Sequence, residues 1–144
     1  MTAALAVGYR RRMTQDAPSR PLLLATIGVL GAVPLGTGLL GILRGPAGAP
    51  GGAATTLSVD SEYRFVNVFW AAAGPALWWS LRRPEERAGT TRRLLGLAAL
   101  GGLPRLLSVR TTGWPHPVFR ATLVLELVVV PLVLAWHARV LRAR

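Results

Sequence analysis

The sequence predicts an all-α membrane protein: a four-helix antiparallel bundle that crosses the bilayer four times, with both termini in the cytoplasm. Three observations support this fold class. Apolar residues make up 51% of the 144 positions, mean hydropathy is +0.41, and the apolar residues are gathered into four runs separated by arginines or by Gly- and Pro-rich segments. A helix needs about 20 such residues to span the hydrocarbon core.

Composition also excludes several classes of protein. The formal net charge is +11 and the isoelectric point is about 12.0, values that by themselves are typical of nucleic-acid-binding proteins. The arginines, however, flank the apolar runs, so the predicted partner is the lipid bilayer and not a nucleic acid. The absence of cysteine rules out disulfides, thiolate catalysis and Cys-ligated metals.

The first two spans are predicted at residues 21–43 and 62–81, after an Arg-rich cytoplasmic tail at 1–20. The first run exceeds the ~7–15 apolar residues of a secretory signal peptide, so a retained helix is favoured over a cleaved signal. Four glycines in this run would allow another helix to approach closely. They are Gly28, Gly31, Gly38 and Gly41.

The third and fourth spans are predicted at residues 94–109 and 118–136. The third run is short, so we expect its helix to include flanking residues or to tilt. Pro84, in the charged connection after the second span, cannot continue that helix. The four spans would form one membrane domain over residues 21–144.

Arginine placement predicts the orientation of this domain. Four spans put both termini on one side, and the two tails with the connection between spans two and three carry 12 of the 17 arginines. Because arginine and lysine are enriched in cytoplasmic segments, this side is predicted to be cytoplasmic. The predicted location is the inner (plasma) membrane, with several crossings.

Charged side chains of the second helix would then lie toward the outer half of the membrane. Asp60 and Arg64 are four residues apart and share a helix face, which Asn67 continues, whereas Glu62 points away. Asp60 fits either a helix N-cap or a site acid, and Glu62 either a favourable first-turn acid or a site acid. Arg64 opposes the helix dipole and is expected to pair with Asp60 or Glu126.

Arg105 and Glu126 interrupt the third and fourth apolar runs. Two unpaired charges at helix centres would cost about 5–7 kcal/mol on insertion scales. We therefore expect the two side chains to meet across the bundle or to share a wet pocket. They form either a functional site or a buried salt bridge that fixes packing alone.

The remaining polar residues are weaker candidates. His116, between two prolines, favours a solvated loop residue over a catalytic base, and His137 is expected to be a helix C-terminal cation or an interface residue. Arg110 and Arg120 favour exposed helix ends over site roles. No nucleotide, zinc or nucleophile-elbow motif occurs, and two histidines at opposite faces cannot share a metal. No cofactor and no metal are predicted.

Five segments of the chain are distinctive in combination. They are Asp60-Ser61-Glu62-Tyr63-Arg64-Phe65, Arg82-Arg83-Pro84, Gly101-Gly102-Leu103-Pro104-Arg105-Leu106-Leu107-Ser108, Leu125-Glu126-Leu127, and Pro131. Together they resemble a family of small bacterial four-helix integral membrane proteins catalogued as a domain of unknown function. The resemblance spans about residues 22–141 and implies a four-span inner-membrane architecture, but no activity.

The leading functional hypothesis is a polar pocket near the outer leaflet that binds or transforms a small membrane-soluble molecule. Arginines and an amide would hold an anionic or carbonyl oxygen, and carboxylates would act as acid/base or counter-ion. The ligand-binding candidates are Arg64, Arg105 and Asn67, and the acid/base candidates are Glu126, Asp60 and Glu62.

Two alternatives belong to other classes of protein. A small proton-coupled transporter would also place one carboxylate inside a four-span bundle, but the first run here contains no acid. A structural or accessory subunit would use the bridge between Arg105 and Glu126 only to fix the packing of its helices.

Overall fold

The computed structural model describes residues 19–141, which form four long helices and contain no strand. Most of the predicted tail at 1–20, together with Arg142 and Arg144, lies outside the described residues. One short 3₁₀ turn, Pro46–Gly48, interrupts the first connection. The long helices are α1 (Ser19–Arg44), α2 (Leu57–Leu81), α3 (Ala88–Thr112) and α4 (Pro117–Val140).

The first two helices begin earlier than the sequence predicts. The α1 helix already includes Ser19 and Arg20, which were assigned to the tail. The α2 helix begins before residue 62 because the Thr56 hydroxyl caps it, accepting a hydrogen bond from the Val59 N–H at 3.4 Å. The N-cap interpretation of Asp60 is therefore wrong, since Asp60 lies inside the first turn.

The other two helices also exceed their predicted spans. The α3 helix includes flanking residues on both sides of 94–109, and it ends before Gly113, whose φ of 96° breaks the helical path. The flanking residues therefore supply the helix length that the third apolar run lacks, as predicted. The α4 helix continues beyond residue 136 to Val140.

The α4 helix contains one wide turn. Residues Leu125–Val129 form a π-helical turn, and the Val130 N–H bonds to the Leu125 carbonyl. Pro131 follows directly and has no N–H with which to continue the regular pattern. Single π-helical turns inside α-helices are frequently found at functional sites, and Glu126 lies in this one.

The α1 and α2 helices pack as a close antiparallel pair. A Cβ atom on Gly38 would lie 2.6 Å from the Ala71 backbone nitrogen, so only glycine permits this approach. Gly31 and Gly41 are also in close contact with α2, as predicted. Gly28 differs, because a Cβ there would meet nothing within 4 Å; its carbonyl instead accepts a 2.8 Å hydrogen bond from the Trp78 indole.

The apolar core lies toward one end of the molecule, which we call the proximal end. Here the 82–87 connection meets the start of α1 through an ion pair between Arg20 and Glu85. The buried hydroxyls of Ser80 and Thr91 join α2 to α3 at 2.9 Å. All four helices contribute to the core. Its buried residues are Leu23, Ile27, Leu77, Leu95, Val130 and Val133.

The opposite end, the distal end, carries the 45–56 and 113–116 connections, which meet where Gly51 approaches His116. The surface is strongly apolar along the helices, and α1 and α4 are long and apolar enough to cross a membrane. Exposed apolar surface of this extent marks contact with lipid or with another protein. Large exposed side chains include Val29, Phe69, Leu97 and Leu132.

Candidate functional site

Arg105 of α3 meets Glu126 of α4 inside the helix assembly, as predicted. Arg105 Nε lies 2.9 Å from Glu126 Oε2 and 3.2 Å from Oε1, and the hydrogen bond is directed at Oε1. Glu126 is only 4% exposed. Its buried Oε2 is in ion-pair contact with Arg105 but accepts no well-aligned hydrogen bond from the described residues.

Close packing of α3 against α4 brings these two side chains together. A Cβ atom on Gly102 would lie 3.3 Å from the Cβ of Glu126 and would collide with Leu127. The guanidinium carbon of Arg105 lies 5.7 Å from the centroid of the Phe119 ring, within the range of a cation–π contact. Gly102 therefore sets the helix separation, and Phe119 supports the guanidinium from α4.

The guanidinium of Arg105 retains unused donors. Only its Nε is bonded to Glu126, and neither Nη1 nor Nη2 has an acceptor among residues 19–141. The side chain is 38% exposed. Because a guanidinium carries five N–H donors in a fixed plane, its outer edge can bind a second oxygen-bearing group while the inner edge holds Glu126.

A cavity of about 570 Å³ lies beside the ion pair, between α1, α2, α3 and α4. Ligand pockets for small molecules typically measure about 300–1,000 Å³. Among its lining residues in the described chain, Arg105 and Glu126 alone are charged, and most of the wall is apolar. We call this the apolar cavity. Its wall includes Leu30, Pro34, Phe69, Ala73, Leu94 and Ala98.

A second cavity, of about 820 Å³, lies toward the distal end beneath the two connections. We call it the distal cavity. It shares five lining residues with the apolar cavity, and Arg105 is the charged one, so Arg105 stands at the junction of the two. The shared residues are Val33, Val66, Trp70, Arg105 and Thr122. Its described walls contain no Asp or Glu. Uncharged polar side chains on those walls include Thr37, Tyr63, Asn67, Ser108, His116 and Thr122.

Asp60 and Arg64 form a separate ion pair. Arg64 Nε donates to Asp60 Oδ2 at 2.7 Å, and Arg64 Nη1 donates to the Ile42 carbonyl at 2.6 Å. The anionic partner of Arg64 is thus Asp60 and not Glu126, and the guanidinium also binds the carbonyl end of α1. The hydrogen bond from Arg64 holds the pKa of Asp60 below its usual value of 3.8. Neither residue lines the two cavities.

The other two site candidates on α2, Glu62 and Asn67, lie in different surroundings. Glu62 is exposed and forms no ion pair within residues 19–141. Asn67 is buried, donates from Nδ2 to the Tyr63 carbonyl at 2.7 Å, and packs against Gly41. It lines the distal cavity together with Arg105. Of the six predicted site residues, the structure brings Arg105, Glu126 and Asn67 to the cavities.

His137 lies in the last turn of α4, at the helix C-terminus that the sequence predicts, but not at an exposed interface. It is fully buried, and its Nδ1 accepts a 3.4 Å hydrogen bond from Arg92 Nε. Arg92 also donates to the Leu141 carbonyl, at the end of α4. Sequence spacing offers no sign of this contact, because Arg92 and His137 belong to different helices.

His116 is an exposed residue of the 113–116 connection, as the sequence favours, and it also has a hydrogen-bond partner that the sequence did not reveal. Its Nδ1 accepts a 3.3 Å hydrogen bond from the Val118 N–H, so it caps the start of α4. A neutral imidazole that accepts at Nδ1 carries its proton at Nε2. His116 therefore offers a donor on the wall of the distal cavity. Nowhere in residues 19–141 do three His, Asp or Glu side chains gather to hold a metal.

These features define an all-helical protein with an Arg–Glu pair at the junction of two cavities, one apolar and one polar. The chain belongs to the family described as a domain of unknown function (DUF4345), which matches residues 22–137. This match agrees with the predicted resemblance to a domain of unknown function over most of the chain. No curated protein and no solved structure shows significant similarity to the chain.

Proposed function

We propose that this chain is a multi-pass protein of a bacterial inner membrane, with four crossings and cytoplasmic termini. Exposed apolar side chains on all four helices support this topology. The arginine-rich proximal end would face the cytoplasm. The α2 and α3 helices are each 25 residues long, enough to cross the hydrocarbon core beside α1 and α4.

The proposed function is to bind or transform a small membrane-soluble molecule in the outer half of the bundle. One observation supports it most strongly: the ion pair between the half-exposed Arg105 and the buried Glu126 forms the charged part of an otherwise apolar wall around a ligand-sized cavity. An intramembrane charge pair at a cavity is typical of a functional site. Arg105 would bind a ligand oxygen, and Glu126 would serve as counter-ion or acid/base group.

A co-purification experiment tests this function. We expect wild-type protein extracted in mild detergent to retain a small molecule, identified by mass spectrometry, and Arg105→Gln to lose about tenfold or more of it. The reason is that a charge-assisted hydrogen bond contributes about 1.5–3 kcal/mol. Arg110→Gln is the matched control, because Arg110 is an exposed arginine on the same helix.

Equal ligand content in all three proteins would contradict the pocket at Arg105. It would favour the second candidate, a structural or accessory subunit, for which the contact of Arg105 Nε with both carboxylate oxygens is the supporting observation. In that case a neutral pair, Arg105→Met with Glu126→Leu, would preserve both folding and function, since buried ion pairs are replaceable by apolar residues.

A proton-coupled transporter has one supporting observation. Among the described residues, the buried Oε2 of Glu126 is in contact with Arg105 but accepts no well-aligned hydrogen bond. A transporter of this kind would move protons when substrate is added to proteoliposomes, and Glu126→Gln would abolish that movement. A ligand-binding pocket without transport would give no substrate-driven proton flux in either protein.

A further inference from the structure

We propose that the ligand of this site is an amphiphile with an anionic head, whose head group binds Arg105 in the distal cavity while its apolar body occupies the apolar cavity. This inference rests on the proposed function and specifies the chemical class of its ligand. Among the described residues that line both cavities, Arg105 is the charged one. The Arg105 side chain would therefore lie at the boundary between the head group and the apolar body of the ligand.

The distal cavity has the composition of an anion-binding space. The described residues on its walls provide one guanidinium and no carboxylate. Nη1 and Nη2 of Arg105 have no protein acceptor within residues 19–141. His116 adds an imidazole N–H, because its Nδ1 is already engaged with the Val118 N–H. Paired guanidinium N–H groups match the geometry of a carboxylate or a phosphate.

The apolar cavity is suited to the other part of such a molecule. Apart from Arg105 and Glu126, its wall is formed almost wholly by aliphatic and aromatic side chains. A soluble anion would leave this space without an apolar partner. A hydrocarbon body next to the head would fill it, and burial contributes about 0.8 kcal/mol per methylene group.

Substitution of Glu126 tests the proposal, because a purely structural role of the ion pair would not predict a change in the affinity for an anion. Its carboxylate already neutralises Arg105 from the inner edge of the guanidinium, so it competes electrostatically with an incoming anion. Glu126→Gln retains an amide oxygen that can accept the Arg105 hydrogen bond but removes the negative charge. Removing that charge strengthens the attraction between Arg105 and an anionic head group at this low-dielectric site.

The experiment measures equilibrium binding of four radiolabelled probes to protein in phosphatidylcholine nanodiscs, with empty nanodiscs subtracted. The probes are hexadecanoate, hexadecyl phosphate, hexadecanol and butyrate. We expect the two anionic long-chain probes to bind about tenfold or more tightly than hexadecanol, and butyrate to show no saturable binding. Arg105→Gln should weaken the anionic probes about tenfold, Glu126→Gln should tighten them about tenfold, and Arg110→Gln should change nothing.

Specific outcomes would overturn the proposal. Equal affinity for hexadecanol and hexadecanoate, or unchanged affinity for the anions in Glu126→Gln, would reject the anionic head group but leave the pocket. Saturable butyrate binding as tight as that of hexadecanoate would reject the apolar body. Absence of saturable binding for every probe would reject the anionic amphiphile, and an unchanged amount of co-purified small molecule in the cavity-filling variant Ala73→Leu would reject the proposed function itself. If Arg105→Gln fails to fold, the Glu126→Gln and hexadecanol comparisons still decide the outcome.

Discussion

Arg64 and Arg105 are both helix-borne arginines paired to a carboxylate, yet their surroundings give them different roles. The guanidinium of Arg64 is fully engaged with Asp60 and with the last carbonyls of α1, groups that otherwise lack intrahelical donors. The guanidinium of Arg105 has donors left over. One arginine therefore closes a helix end, while the other remains available to a ligand.

The pair of Asp60 and Arg64 predicts a pH-dependent stability difference. Since Arg64 lowers the pKa of Asp60 in the folded protein, the ionised carboxylate stabilises the fold at pH values above its unfolded pKa. This contribution is lost as pH falls through the depressed folded pKa. We expect Asp60→Asn to have a lower Tm than wild type at pH 7, with the difference shrinking below about pH 4.

Thermal unfolding in detergent across this pH range provides the measurement. Glu62→Gln is the matched control because Glu62 is an exposed carboxylate on the same helix and has no ion pair within residues 19–141. A difference between Asp60→Asn and wild type that is constant from pH 7 to pH 3 would show that the ion pair does not stabilise the fold.

The sequence was informative about residue types but less so about their partners. The cost of two charges in apolar runs predicted that Arg105 and Glu126 would meet, and they do. The partner of Arg64 stayed open between Asp60 and Glu126, because i,i+4 spacing establishes a shared face but not the distance to another helix. The bond from Arg92 to His137 depends on tertiary packing alone.

At the scale of the helices, glycines lie both where two helices pack closely and where a cavity remains between them. Gly38 and Gly41 bring α1 onto α2, and Gly102 brings α3 onto α4. Gly101, the neighbour of Gly102, has open space at its Cβ position and lines the apolar cavity. The glycine spacing predicted close contact, but only the structure distinguishes a glycine that faces a helix from one that faces a cavity.

Substitution at Gly38 is therefore expected to disrupt the pair of α1 and α2. A side chain there must displace the backbone of Ala71, which is 2.6 Å from the Cβ position. We expect Gly38→Val to destabilise the protein by about 1–3 kcal/mol, the usual cost of overpacking, and to lower its Tm in detergent.

Gly36→Ala is the matched control for this prediction. Gly36 lies on the same helix, and nothing stands within 4 Å of its Cβ position. Alanine is a better helix former than glycine, so this variant should keep or slightly raise the Tm. Equal Tm values for Gly38→Val and Gly36→Ala would contradict the packing described for α1 and α2.

The helix boundaries and the π-helical turn are features that the sequence did not predict correctly. Spans chosen by hydropathy follow the apolar runs, whereas α2 and α3 continue into the polar residues that flank them because caps and backbone bonds, not hydropathy, end a helix. Pro131 entered the sequence analysis only through the family resemblance. A proline in a helix is compatible with a local irregularity, but it does not indicate that the wide turn would contain Glu126.

For the molecule as a whole, the decisive question is how many helices cross the membrane. The α1 and α4 helices meet the criteria of length and hydropathy on their own. If these two alone crossed, the 82–87 connection would lie on the same side as the 45–56 and 113–116 connections. With four crossings it lies on the opposite side, so one accessibility measurement separates the two topologies.

The lack of cysteine in the chain makes this measurement direct. We expect a membrane-impermeant maleimide to label Ala53→Cys in spheroplasts, and to label Glu86→Cys only after the membrane is opened, because the arginine-rich connection faces the cytoplasm. Both positions are exposed. Labelling of both cysteines from outside would leave α2 and α3 on the external side and would refute four crossings.

Three side chains of α2 form hydrogen bonds to α1 along its length: Arg64 to the Ile42 carbonyl, Trp70 to the Thr37 hydroxyl, and Trp78 to the Gly28 carbonyl. These bonds fasten α2 to α1 at three levels. The α3 and α4 helices form a second pair, and the hydrogen bond between Ser80 and Thr91 joins the two pairs at the proximal end. Entry of a guest molecule would consequently separate the two pairs at the distal end, where the 45–56 and 113–116 connections meet, without bending any helix.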